Sequence, residues 1–180
     1  MSYDEGGAIA ARGAVDHALL RELMAQPYFS LKSPKSAGRE LFGTQAVARI
    51  LATHPDVPGE DLVRTLTEFT AQSVAEACLR LVEPRVGGPI DRLVVGGGGA
   101  HNPVMVGEIA WWLPHVEVLT QEDLGVSSDA KEAIAFAILG NETLHGRPSN
   151  VPSATGARSP AVLGTITPPP QGDPLPWHLG

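Results

Sequence analysis

Length, composition and charge restrict the chain to a folded globular class. The chain has 180 residues, of which 43% are hydrophobic and 18% are charged, enough for about one ordinary domain. This composition excludes global disorder, because disordered chains combine low hydrophobicity with high charge. The net charge of -7 makes nucleic acid an unfavourable partner, since the summed field repels polyanions.

Cysteine usage and the apolar segments indicate the compartment. The single cysteine, Cys78, cannot form an internal disulfide and lies in an apolar-periodic segment, where we expect it to be buried in a protein from a reducing compartment. The first residues are acidic, unlike the positive start of a signal peptide, and no segment approaches the ~20 apolar residues of a membrane span. We therefore expect a cytoplasmic protein that does not contact a membrane.

The first predicted elements are a helix and a loop. Apolar periodicity over residues 16–25 predicts a helix with Asp16 as its N-cap. Residues 28–43 are rich in Pro, Ser and Gly and predict a loop leading into a helix. Lys35 and Arg39, in the only local basic cluster, could bind a carboxylate or phosphate, or could belong to a solvated loop.

A long helix and a buried strand follow. The 3.6-residue period predicts a helix over about 60–82, and the apolar run Leu93–Val95 predicts a short strand that ends in four glycines. Asn102 and then Pro103 are a strong helix start signal, because Asn accepts from free backbone N–H groups and Pro needs no donor there. We expect that helix to run to about Leu113.

The next strand and helix complete the predicted fold. A second strand over 116–119 follows the helix, and the order strand, helix, strand favours a parallel pair with a right-handed crossover. A last helix is predicted over about 129–139, stopped by Gly140, with Asp129 and Glu132 at the spacing of a capping box. The Pro-rich residues 168–180 are expected to be a loose tail.

The glycine-rich turn is the most informative segment for function. Glycines allow a ligand to approach the backbone, and unpaired N–H groups at a helix N-terminus favour phosphate or other electron-rich atoms, although a tight structural turn would need the same residues. A dinucleotide fingerprint fails at its third glycine, where His101 or Asn102 stands, and no Gly-Lys-Ser or Gly-Lys-Thr follows as in a P-loop.

Catalytic and metal-binding candidates are few. His101 has no serine or cysteine nucleophile near it in the sequence, so a positioning or solvent-facing role is favoured over catalysis. The six histidines show no zinc-ligand spacing. We therefore assign no catalytic residue and no metal ligand from the sequence.

Five segments in order resemble one family. The segments are Asp4–Gly13, Pro34–Phe42, Gly97–Pro103, Asp129–Ala137 and Asn150–Ala157. Together they are similar to the C-terminal half of anhydro-N-acetylmuramic acid kinases, in the sugar kinase, Hsp70 and actin superfamily. The resemblance covers roughly residues 3–167, so we expect residues 1–167 to form one lobe and 168–180 to lie outside it.

The resemblance implies a fold, a reaction and site residues. It implies an α/β ribonuclease H-like lobe, with a central mixed sheet flanked by helices, on one side of an ATP cleft. The implied reaction is opening of the 1,6-anhydro ring of anhydro-N-acetylmuramic acid by water with phosphorylation at the 6-oxygen, dependent on ATP and Mg, in cell-wall recycling. The resemblance assigns Glu132 to the sugar, leaves Lys35 and Arg39 as further substrate candidates, and gives the adenosine-side wall to Gly97, Gly98, Gly99, Ala100, His101 and Asn102.

The family's other lobe is expected to be a necessary partner. The sequence contains no Gly-Thr-Ser-x-Asp-Gly phosphate loop, and the family's catalytic aspartate belongs to that other lobe. We therefore expect a fragment that is inactive alone, exposes apolar surface and self-associates, with a homodimer as one outcome. The alternatives are a non-catalytic nucleotide- or partner-binding module that docks on a separate N-terminal lobe, and a dinucleotide-binding oxidoreductase domain.

Overall fold

The computed structural model describes residues 3–31, 35 and 37–167, apart from the side chain of Arg39. The chain divides into two compact units, Met1–Ser128 and Asp129–Gly180, which are described one at a time below. The predicted Pro-rich tail, 168–180, lies outside the described residues. Among the helices that are described, none is both long and apolar enough to cross a bilayer.

Helices dominate the first unit, and the longest of them is α5, which spans Gly59–Ala77. Asp16 caps α1 as predicted, because its carboxylate accepts from the backbone N–H groups of Ala18 and Leu19 at 2.8 and 3.0 Å. The helix predicted over 60–82 is confirmed and runs further, through a π-helical turn at Cys78–Val82 and into α6. In chain order the helices are α1 (His17–Met24), α2 (Pro27–Ser30), α3 (Arg39–Phe42), α4 (Thr44–Thr53), α5 (Gly59–Ala77), α6 (Glu83–Val86) and α7 (Pro103–Trp112).

The sheet of this unit is small and parallel. Strands β1 (Arg92–Val95) and β2 (Glu117–Thr120) pair in parallel, with Leu93 opposite Val118, and α7 connects them. The predicted strand, helix, strand unit is therefore confirmed. The expected central mixed sheet is not seen among the described residues, whose sheet has two parallel strands.

Two groups of buried side chains form the core, and α5 contributes to both. We call them the sheet cluster and the leucine cluster. Cys78 belongs to the sheet cluster and is 6% exposed, which confirms its predicted burial. The sheet cluster comprises Ala71, Ala75, Cys78, Ile109, Leu113 and Val116, and the leucine cluster comprises Leu19, Leu20, Leu23, Leu62 and Phe69.

The second unit contains α8 (Lys131–Leu144) and α9 (Pro152–Thr155). The prediction that Gly140 stops the helix is wrong, because α8 continues through it. A glycine inside a helix costs only about 1 kcal/mol relative to alanine. The helix ends at Leu144, and Gly146, with φ +62°, is the terminating glycine.

The capping box predicted for this helix is also not formed. The N-cap is Ala130 and provides no side-chain cap, so Glu132 is the second helical residue rather than the third. A capping box needs the carboxylate at the third helical position, where it can reach back to the N-cap amide. Glu132 is therefore not bound in the arrangement that we expected.

Candidate functional site

The carboxyl ends of both strands carry turns, and these turns meet at one edge of the sheet. β1 leads into Gly96–His101 and β2 leads into Gln121–Ser128. Ser128 donates from its backbone N–H and its hydroxyl to the Glu122 carboxylate at 2.7 and 2.8 Å. These two bonds, with a smaller contribution from nearby His101, lower the pKa of Glu122. In open parallel sheets, ligands bind beside this edge, so it is the candidate site.

The glycine-rich turn has a backbone shape that only glycine adopts readily. Gly97 has φ +85° and ψ -171°, and Gly98–His101 form one 3-10 turn after it. Ala100 N–H donates to the Gly97 carbonyl at 2.9 Å, and Asn102 N–H donates to the Gly99 carbonyl at 3.1 Å. A Cβ built on Gly98 would meet no atom within 4 Å, so the space beside that residue is open.

Gly96 lies close to the side chain of Gln121, the first residue of the second turn. A Cβ at this position would lie 2.5 Å from the Gln121 Oε1 atom. Gln121 N–H donates to the Val95 carbonyl at 3.0 Å, which extends the pairing of the strands by one bond. With glycine at this position, the two turns lie side by side at the carboxyl ends of β1 and β2, which we call the carboxyl edge.

Asn102 uses the N–H groups at the start of α7. Its side-chain Oδ1 accepts from Val104 N–H and Met105 N–H at 3.1 Å each, and its carbonyl accepts from Val106 N–H at 3.1 Å. Pro103 has no N–H. The predicted N-cap is confirmed. Because they donate to this cap, the N–H groups of Val104 and Met105 are not free to bind phosphate.

A neighbouring turn was noticed in the sequence only as part of the family resemblance. Asp4 accepts from Ile9 N–H and Ala10 N–H at 2.7 and 3.0 Å, which closes a turn around Gly6 and Gly7. Gly7 is buried, and a Cβ there would lie 2.3 Å from Asn102 Oδ1. The fold thus brings the first family-like segment against the third, although about ninety residues separate them in the sequence.

The other predicted site residues belong to other segments of the chain. The Lys35 ammonium donates to the carbonyls of Tyr28 and Phe29 at 3.0 and 3.5 Å, and lies 4.5 Å from the centre of the Tyr28 ring. Arg39 begins α3, and its side chain is outside the described part. Glu132 is exposed in the second unit. The first unit therefore joins Gly97–Asn102 with the Gln121–Ser128 turn, and it does not bring Lys35 to that edge.

A cleft of about 720 Å³ opens beside the leucine cluster and shares no lining residue with the glycine-rich turn. Ala37, Leu41 and Phe42, from the family-like segment 34–42, line one side of it. Four aromatic rings, Tyr28, Phe29, Phe42 and Phe69, pack against one another at this cleft, with centroid separations of 5.3 to 6.0 Å. These three residues of the segment therefore contribute to an apolar cleft rather than to the carboxyl edge.

In the described part of the chain one carboxylate, that of Glu68, is buried, and its partners belong to α5 and α7. Glu68 is 6% exposed, and Trp112 Nε1–H donates to its Oε1 at 2.7 Å. Arg64 lies 3.8 Å from the other oxygen of Glu68 and also contacts Glu108. Burial raises the pKa of Glu68, and Glu108 adds to that effect while the Trp112 bond opposes it. The group joins α5 to α7 and does not face the carboxyl edge turns.

Metal ligands are not concentrated anywhere in the described ranges. Across 3–31, 35 and 37–167, no three His, Cys, Asp or Glu side chains converge as a metal site would require. In the turn after β2, the carboxylates of Glu122 and Asp123 accept hydrogen bonds from Ser128 and Thr120.

Comparison with known proteins gives one consistent family. The family model described as anhydro-N-acetylmuramic acid kinase matches residues 1–169. A protein of that name from Francisella tularensis subsp. novicida is 50% identical over 164 residues, covering 91% of this chain and 42% of the relative. Those from Clostridioides difficile and Streptomyces coelicolor are both 46% identical, covering 94% and 93% of this chain and 44% and 41% of theirs. The chain spans less than half the length of these curated relatives.

Proposed function

The chain belongs to the anhydro-N-acetylmuramic acid kinase family, and from this premise we propose that residues 97–102 form the adenosine-facing wall of its ATP cleft. The observation that carries the proposal is the turn at the carboxyl end of β1, with open space beside Gly98 and a second turn next to it. A nucleoside needs a concave, largely apolar surface with a few polar groups to orient it.

The hydrogen bonds of the turn favour the adenosine part of the nucleotide over its phosphates. Phosphate sites at helix ends use unpaired N–H groups. Here the Asn102 side chain and carbonyl accept from Val104, Met105 and Val106, so the first turn of α7 has little to offer an anion. A base or ribose, by contrast, can pack closely against glycine backbone, which has no Cβ atoms, and does not require several N–H donors.

The chemistry of the family needs groups beyond those of this wall. In-line phosphoryl transfer needs the phosphates and their metal ion to be held, and activation of water needs a carboxylate within hydrogen-bond reach. The 180 residues include no Gly-Thr-Ser-x-Asp-Gly loop. We therefore propose that the chain corresponds to the C-terminal half of the family's polypeptide, in a ribonuclease H-like lobe, and that alone it does not phosphorylate the sugar. Mg would then accompany the ATP phosphates.

The substrate contacts are proposed for three residues outside the wall. Glu132 is an exposed carboxylate near the start of α8 and could accept from sugar hydroxyls. Lys35 and Arg39 belong to the family-like segment 34–42 and are proposed to bind the sugar's carboxylate. The relatives' printed name supports anhydro-N-acetylmuramic acid as the sugar.

The proposed partner is the remaining part of the family's polypeptide. The relatives are more than twice as long as the matched stretch, and α8 carries Ile134, Phe136 and Ile138 with 45%, 72% and 58% exposure. Large exposed apolar side chains are typical of surfaces that another polypeptide covers. A homodimer is the second proposed assembly, and the cytoplasm, where cell-wall sugars are recycled, is the proposed location.

The first experiment measures nucleotide binding by the 180-residue chain. Amide resonances of Gly97–Asn102 should shift when ATP or adenosine is added, and NAD should give no additional effect through its nicotinamide. Gly98→Val should weaken ATP binding at least tenfold, because the new side chain fills the open space. Gly88→Val is the matched control, since it too meets no atom within 4 Å and lies outside the turn.

A second experiment tests the reaction. The chain alone should form no 6-phosphorylated sugar from ATP and anhydro-N-acetylmuramic acid, whereas mixing it with the N-terminal half of the Francisella relative should restore product formation. Product from the 180 residues alone would overturn the proposed dependence on a second lobe. ATP binding that is unaffected by Gly98→Val would overturn the proposed wall.

A further inference from the structure

The turn at Asp4–Gly7 is a small, well-tied structure beside the candidate site. Asp4 accepts from Ile9 N–H and Ala10 N–H through its two carboxylate oxygens, at 2.7 and 3.0 Å. Gly7 N–H also donates to the Asp4 carbonyl at 3.3 Å. These bonds fix the path of the backbone through residues 4–10, so the atoms of Gly7 have a defined place.

Two adjacent glycines in this turn have similar φ angles and different surroundings. Gly6 has φ +60° and Gly7 has φ +69°. A Cβ on Gly6 would meet nothing within 4 Å, whereas a Cβ on Gly7 would lie 2.3 Å from Asn102 Oδ1 and 3.1 Å from Val104 Cγ2. Gly7 is therefore required by its contact with Asn102 as well as by its own conformation.

The Asn102 oxygen that Gly7 contacts is also the cap of α7. This Oδ1 atom accepts from Val104 N–H and Met105 N–H. Asn102 N–H donates to the Gly99 carbonyl, so the same residue closes the glycine-rich turn. A displacement of the Asn102 side chain would disturb the helix cap on one side and the turn on the other.

We propose that Gly7 is a positioning residue for the nucleotide wall. Gly7 contacts no ligand in this role. The turn held by Asp4 sets where the Asn102 carboxamide lies, and Asn102 in turn sets the backbone of Gly97–Asn102. The functional part of this inference rests on the nucleotide site proposed above, whereas the positioning part concerns the protein alone.

The test compares Gly7→Ala with Gly6→Ala in the full 180-residue chain. Both variants place alanine at a positive φ, so both carry the same kind of backbone strain. Only Gly7→Ala is expected to shift the amide resonances of Gly98–Met105, to speed hydrogen exchange at Val104 and Met105, and to weaken ATP binding by about tenfold. Gly6→Ala should change ATP affinity by less than about threefold.

A rescue variant separates positioning from simple loss of stability. Serine caps helices as asparagine does, but its oxygen is one atom closer to the backbone. Gly7→Ala combined with Asn102→Ser should therefore recover most of the lost exchange protection and ATP affinity. Gly6→Ala should gain nothing from the same change, because its Cβ does not meet Asn102.

The outcomes distinguish this inference from the proposed function. If the wild-type chain binds no ATP, the proposed function fails, while exchange at Val104 and Met105 still reports whether Gly7 positions Asn102. If Gly7→Ala and Gly6→Ala give the same spectra and exchange rates, the positioning role is overturned. A Gly7→Ala defect that Asn102→Ser does not reduce would overturn it as well.

Discussion

The sheet cluster and the leucine cluster both include residues of α5, and they differ in how closely their side chains pack. Small residues, Ala71 and Ala75, are 0% and 1% exposed on the sheet side and let α7 approach α5 closely. On the other side, four aromatic rings surround a cleft of about 720 Å³. Small side chains let two helices pack without a cavity between them, whereas large rings that meet edge to face leave gaps. The strands and the glycine-rich turn are therefore supported by the sheet cluster, which is the more tightly packed of the two.

The largest expected effect is a difference between the two clusters in how much stability is lost when a buried leucine is replaced by alanine. Leu113 is 0% exposed in the sheet cluster, so Leu113→Ala should lower the free energy of unfolding by about 2–5 kcal/mol. Leu23→Ala should cost less, because Leu23 already lines the cleft and its removal enlarges an open space. Urea denaturation of both variants measures this, and equal losses would contradict the distinction between the clusters.

The next effect concerns the buried link between α5 and α7. Trp112→Phe removes the N–H that binds Glu68 Oε1, leaving a buried carboxylate oxygen without that donor. We expect a loss of about 1–3 kcal/mol in the free energy of unfolding. Trp111→Phe is the matched control, since Trp111 is 68% exposed, and it should change stability little. Similar losses in the two variants would show that the bond to Glu68 is not responsible.

A smaller effect is expected from removing the N-cap of α7 or of α1, one helix from each cluster. Asn102→Ala should cost about 1 kcal/mol, because two N–H groups of α7 lose their acceptor. Asp16→Ala removes the same kind of cap from α1 and should also lower the melting temperature. Only Asn102→Ala should weaken ATP binding, measured by titration. If Asp16→Ala weakened it equally, the cap of α7 would have no special relation to the site.

The smallest expected effect is a change in how the free energy of unfolding depends on pH. Because the folded state raises the pKa of Glu68 above its usual 4.5, its ionised form is disfavoured in the fold. The stability of wild type relative to Glu68→Gln should therefore be greatest below pH 4.5, fall as pH rises toward the raised pKa, and then level off. Arg64, Glu108 and Trp112 are the charged and polar groups that face Glu68.

Thermal unfolding of both proteins from pH 4 to 8, at fixed ionic strength, measures this difference. A relative stability that rises with pH would show that Arg64 outweighs burial in setting the charge of Glu68. The comparison removes the titration of Glu68, since glutamine has no ionisable group.

Much of the module at the carboxyl edge could be predicted from the sequence, because its signals are local. Asn102 before Pro103 marks a helix start, and an apolar run before four glycines marks a strand end, each through residues nearby in the sequence. Asp16, outside this module, marks the cap of α1 in the same way. The helix through Gly140 could not be predicted in this way. A single glycine costs a helix about 1 kcal/mol, which neighbouring residues can offset.

The tertiary structure alone decided which distant residues meet. Gly7 lies against Asn102, and Glu68 is held by Trp112 across two helices. The Lys35 ammonium binds the Tyr28 and Phe29 carbonyls. The sequence determined the caps at Asp16 and Asn102 and the end of β1, since these depend on the backbone nearby. The fold decided contacts and burial, because they depend on how helices and turns pack together, which no local pattern specifies.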